Sequence, residues 1–94
     1  MAKAYVVAVY NKIIGPEKLK NYIQDSRPVM GAHGAKALAI GSNISKLEAN
    51  TPERAVIMEF ESVEAAQKAF QSNHANEEKL EGGVDRVMFV LEGV

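Results

Sequence analysis

Three side chains in this 94-residue chain have the types that acid–base and anion chemistry require: His33, Arg54 and Glu59. His33 precedes Gly34 in a break between two ordered-looking stretches. Imidazole is the side chain best matched to proton transfer near neutral pH, so His33 is the candidate general base or hydrogen-bond donor. Its structural alternative is a helix C-terminus, where a histidine complements the dipole. Arg54 opens an apolar run, and a guanidinium there can hold a carboxylate or phosphate through two parallel hydrogen bonds. Its alternative is an ion pair with Glu48. Glu59 is the one charge inside that run. If buried it needs a partner and marks a functional site; otherwise it sits at a bulge or sheet end that reaches solvent. Tyr22 joins Arg54 as a candidate ligand-binding side chain, although its helical spacing also suits a core position with the hydroxyl at the rim. Tyr5 and Tyr10 are further sources of a hydroxyl.

Other chemistries are poorly served. The chain has no cysteine and only two, widely separated histidines. Thiolate nucleophiles, disulfides and cysteine-ligated zinc are excluded, and no metal site is expected. His74 lies in a polar stretch and reads as surface. Neither a glycine-rich phosphate loop nor a nucleophile-elbow motif occurs, so no cofactor is expected. The net charge is −1, without any block of Lys or Arg, which removes the electrostatic basis for nucleic-acid or membrane-surface binding. No apolar run approaches the roughly 20 residues that span a bilayer, and the N-terminus leads directly into a strand, so a cytoplasmic protein is expected.

The elements that must position these residues follow from their periodicities. Residues 54–60 form a strand rich in β-branched and aromatic types, with Val56, Met58 and Phe60 on one face and Ala55, Ile57 and Glu59 on the other. Residues 4–10 form another, also apolar on both faces. After a loop at 11–15, Pro16 and Glu17 suit the first turn of a helix. Leu19, Tyr22, Ile23, Ser26 and Met30 then follow at helical spacing, with a kink or break expected near Arg27 because of Pro28. Residues 35–40 read as a strand with Leu38 and Ile40 on one face. A bend at 41–43, a short strand at 44–48 and a turn at 50–53 lead back to Arg54. Ser62 is a helix N-cap for an apolar stripe of Val63, Ala66, Ala69 and Phe70. That helix ends near Ser72 and Asn73. One more helical turn at 76–80 closes at Gly82 and Gly83, and the last strand covers 86–92.

The order strand–helix–strand–strand–helix–strand gives an α+β, ferredoxin-like βαββαβ fold in one domain over residues 1–94. Right-handed crossovers place the first and third strands in the middle of a four-stranded antiparallel sheet with two helices on one face. The opposite face is apolar as well. Such a face marks an interaction surface, and a second copy of the chain is the economical cover. A homodimer through the open sheet face is therefore expected.

Several segments carry a family resemblance. These are Ala4-Tyr-Val-Val, Ala32-His-Gly-Ala-Lys36 leading to Leu38 and Gly41, Leu47-Glu48, Arg54 with Val56-Ile-Met-Glu-Phe60, Ser62, Glu64-Ala65-Ala66, Phe70-Gln-Ser72 and Leu91-Glu-Gly-Val94. In order and spacing the chain resembles the DUF1330 family of the dimeric α/β-barrel superfamily. The resemblance implies the fold and usually dimers, and no established reaction; His33 matches the family's His-Gly pair. The chain departs from the family pattern at Ala35, where Gly is common, and at Ala75 and Glu77-Glu-Lys79, where a Tyr followed by Arg is common. Three readings stay open. One is a small dimeric protein with a small-molecule pocket and no established reaction. Another is a cofactor-free enzyme, oxygenase- or isomerase-like, that uses His33 and Arg54 on a small organic acid or aromatic. The third is a purely structural dimer with a filled sheet–sheet interface and no cavity of useful size.

Overall fold

The computed structural model describes residues 2–48 and 50–94. Strand β1 is Ala4–Ile13, helix α1 Pro16–Ala32, β2 Lys36–Gly41, β3 Arg54–Phe60, α2 Val63–Ser72, α3 His74–Leu80 and β4 Val84–Glu92. The strands form one antiparallel sheet in the order β2-β3-β1-β4, with the two apolar strands in the centre. This is the ferredoxin-like arrangement, with the second helical segment divided in two.

One face of the sheet is sealed. Ala4, Val6, Ala8 and Tyr10 alternate along β1 and are all buried against the helices. Beneath α1 and α3, Ala8 and Tyr10 join Leu19, Tyr22, Val56 and Leu80; beneath α2, Val6 meets Met30, Phe60, Ala66 and Ala69. The alanines Ala66 and Ala69 are fully buried, and their small size brings α2 down onto the strands. Ser62 caps α2 by accepting the Ala65 N–H at 3.1 Å. The last turn of α1 closes on Gly34, whose φ of +79° lies in the left-handed region that an L side chain enters only at a cost.

Several boundaries differ from the sequence-based expectation, each for a local reason. β1 runs three residues further, to Ile13. After an irregularity between Tyr10 and Lys12 its pairing resumes with Val84 and Asp85, which also starts β4 earlier. α1 does not break at Pro28 but continues to Ala32, because buried Ser26 and Met30 on either side of the proline hold the helix against the sheet. β2 shifts register between Ala37 and Ala39. Ala37 pairs with Met58 and Ile40 with Val56, so the bulge at Leu38 breaks the expected alternation of Leu38 with Ile40. Among the described residues of the expected strand at 44–48 there is no strand pairing, and residues 42–48 and 50–53 are outside any helix or strand.

Among the described residues no helix covers the other sheet face. Tyr5, Val7, Val9 and Ile57 are half-buried there, while Val87, Phe89 and Leu91 of β4 are exposed.

Candidate functional site

Strand register builds the site. Tyr10 of β1 pairs with Arg54 of β3 on one side and with Arg86 of β4 on the other. Directly opposed residues of antiparallel strands share a face, so these three side chains form a row across the end of the sheet, beneath α1. Both guanidiniums lie near the Tyr10 ring, with carbons 5.9 Å (Arg54) and 5.5 Å (Arg86) from its centroid. These are cation–π distances.

The two arginines then part company. Arg86 is saturated. Its Nη2 donates to Glu77 at 2.8 Å, and its Nη1 donates to the hydroxyls of Tyr10 and Tyr22 at 3.3 Å each. Glu77 accepts also from the Tyr22 hydroxyl at 2.6 Å and from Asn73 Nδ2. Asn73 is fully buried at the junction of α2 and α3, and it reaches across to Ser26 Oγ of α1 at 3.0 Å. Burial first, and then the bond to Glu77, push the Tyr22 hydroxyl above its ordinary range. Burial alone would lower the Arg86 pKa, but the bonds to Glu77, Tyr22 and Tyr10 outweigh it and hold the guanidinium firmly protonated. This cluster fastens all three helices to the end of the sheet.

Arg54 is left over. Its Nε is buried without a hydrogen-bond partner. Among the described residues no carboxylate lies within ion-pair reach of it, and the pairing with Glu48 expected as its structural role is absent. A buried donor left unmade costs about 1–3 kcal/mol, so a side chain in this state stands out.

Arg54 faces a cavity of about 250 Å³ between α1 and the sheet. Tyr10 and Tyr22 line it beside Arg54. Its walls are otherwise mainly apolar, with Ile23 and Met30 from α1, Val56 and Met58 from β3, and Met88 from β4. Three of the chain's four methionines are in this wall. Arg27, exposed at the mouth, is the other charge, and no Asp, Glu or His is among the lining residues.

The expected set of His33, Arg54 and Glu59 is not gathered into one cavity of the chain. Arg54 and Tyr22 meet at the cavity. His33 is the C-cap of α1, its backbone N–H bonded to Met30 O at 3.1 Å, and it is not among the lining residues. Glu59 alternates with Met58 and so projects from the opposite, helix-free face. There it accepts from Lys3 Nζ at 3.3 Å and stands in register with Lys36. The bond to Glu59 raises the Lys3 ammonium pKa. His74 is exposed on α3 beside Glu78. Among the described residues no group of His, Asp or Glu side chains is arranged to hold a metal ion, and no helix is long and apolar enough to cross a membrane. Sequence reasoning missed Glu77, Asn73 and Arg86. The first two sit in a polar run that looks like surface, and Arg86 lies at the polar entry to an apolar strand.

Fold and site together define a ferredoxin-like α+β protein with a helix-covered pocket at one end of its sheet. The chain belongs to the DUF1330 family, a domain of unknown function, whose model matches residues 3–94. No curated protein matches it in sequence. Among solved structures it is similar to a Rhodopseudomonas palustris protein of unknown function (18% identity, TM-score 0.78, covering 99% of this chain and 83% of that one). It is also similar to a dimeric ferredoxin-like protein of unknown function from Thermobifida fusca (17%, TM-score 0.62, 97% and 91%). A third is SnoaB, a cofactor-independent oxygenase from Streptomyces nogalater (8%, TM-score 0.67, 97% and 92%). At these identities the likeness carries the fold.

Proposed function

We propose that the protein is a cytoplasmic homodimer that binds a small molecule between α1 and the sheet of each copy. The observation that carries this reading is the cavity itself, with its apolar wall, its tyrosines and one unsatisfied guanidinium. Small-molecule sites combine these features: mostly apolar lining with a few convergent polar groups. A lining without Asp, Glu or His favours binding over acid–base turnover, and the enzyme reading would need His33 brought to the cavity where Arg54 lies. The dimer is supported by the apolar, helix-free face and by the dimeric Thermobifida fusca neighbour. Strands β1, β3 and β4 present that face, and a second copy would cover it.

The methionines supply the test. In protein labelled at the methionine methyl carbons, toluene, benzyl alcohol and benzoate are titrated in turn. Saturable shifts are expected at Met30, Met58 and Met88, which all line the cavity. If none of the three compounds moves these methyls at millimolar concentration, the cavity is not a binding site.

A further inference from the structure

We infer that the ligand is a compact monocarboxylic acid with an apolar or aromatic body, its carboxylate held by Arg54; this rests on the small-molecule reading above. Two neighbouring guanidiniums share the Tyr10 ring, and the fold treats them oppositely. Arg86 is matched by Glu77 and by two tyrosine hydroxyls. Arg54 is matched by nothing in the described chain, and its Nε is shut away from water. A cation held against an apolar wall without its counter-charge is costly unless an anion completes it. The planar fork of a guanidinium fits a carboxylate through two parallel hydrogen bonds, so the missing partner has a defined shape.

Charge and volume narrow the class. Arg54, its Nε buried, is the inner cation of the lining, whereas Arg27 is exposed to solvent at the mouth and the Tyr22 hydroxyl already donates to Glu77, so the wall holds no second buried charge to match a second negative one. A monoanion balances Arg54, whereas a phosphate dianion would carry unpaired charge among Met30, Val56 and Met58. Benzene fills an apolar protein cavity of about 150 Å³. A space of about 250 Å³ therefore accepts one ring or a short branched chain with its carboxylate, and excludes long-chain acids and nucleotides. The three methionines suit such a body without dictating its shape, because thioether side chains adapt to irregular contacts.

The experiment compares benzoate, benzyl alcohol and phenyl phosphate, read as dissociation constants from the methionine methyl shifts, in the wild type and in Arg54→Met. Benzoate is expected to bind the wild type at least tenfold more tightly than either of the others. In Arg54→Met that advantage should vanish while benzyl alcohol binding persists. Because the substitution removes an unpaired buried donor, Arg54→Met should also raise Tm in the absence of ligand, where loss of a structural ion pair would lower it. Equal affinities for benzoate and benzyl alcohol in the wild type overturn the acid and leave the pocket standing. Tighter binding of phenyl phosphate overturns the monocarboxylate class. A benzoate preference that survives in Arg54→Met overturns the role of Arg54. If no compound shifts the methyls, the pocket reading fails first and the inference fails with it.

Discussion

Tyr10, Arg54 and Arg86 acquire meaning only together, because each is ordinary in sequence and their row depends on two strand registers at once. The same holds for the polar cluster behind them. Tyr22 spends both hydrogen-bonding functions within the protein, donating to Glu77 and accepting from Arg86. Burial, then the bond to Glu77, raises its hydroxyl above the ordinary value of 10.0. A group that holds its proton more tightly folded than unfolded adds stability that is complete below the unfolded pKa and is lost as the pH climbs towards the folded one. The loss therefore falls on the alkaline side, beginning near pH 10 for a phenol. The wild type should lose urea resistance more steeply there than Tyr22→Phe, which has no such proton to lose. Parallel curves for the two proteins above pH 10 would show that the hydroxyl is not held as described.

At the scale of the elements, the strands and helices were legible because their periodicities are strong. Residues 54–60 and 4–10 carry apolar side chains on both faces, which places them centrally, and Ser62 followed by a short apolar stripe reads as a capped helix. The misreadings came from tertiary contacts overriding local signals. Pro28 predicts a break, yet Ser26 is held by Asn73 and Met30 is buried against the sheet, so α1 runs through. The bulge at Leu38 has no local mark, since it answers to β3 and not to its own sequence. Of the site, Arg54 and Tyr22 could be nominated by type and spacing. Glu77 and Asn73 could not, because nothing in an Asn/Glu-rich run says that it folds inward. Pro28 still denies its helix one hydrogen bond, and a mid-helix proline costs about 3 kcal/mol, partly offset by the entropy it removes from the unfolded chain. Exposed Pro28→Ala should thus stabilise the protein by about 1–2 kcal/mol in urea denaturation. An unchanged or lowered midpoint would mean that the proline sets a backbone shape the packing requires.

The whole molecule has two apolar surfaces and helices for one. The closed face carries the core and the cavity. The open face, with Val7, Ile57 and Phe89 across its centre, is the surface proposed to meet a second copy. Ile57→Asp puts a charge in the middle of it. Light scattering after size exclusion should give the wild type twice its chain mass of 10.2 kDa and the variant either a single chain mass or an unfolded species by circular dichroism. A dimer unchanged in the variant would move the interface elsewhere. In the proposed dimer, assembly and binding use opposite faces, so each copy should carry its own site, and Glu59 with Lys3 belongs to the open face and not to the cavity. The most direct measurement is a crystal structure grown with benzoate. Two copies are predicted to meet through their open faces, each with the acid between α1 and the sheet and its carboxylate on Arg54. A cavity empty of benzoate, with Arg54 turned onto a carboxylate of the protein itself, would contradict the account at its centre.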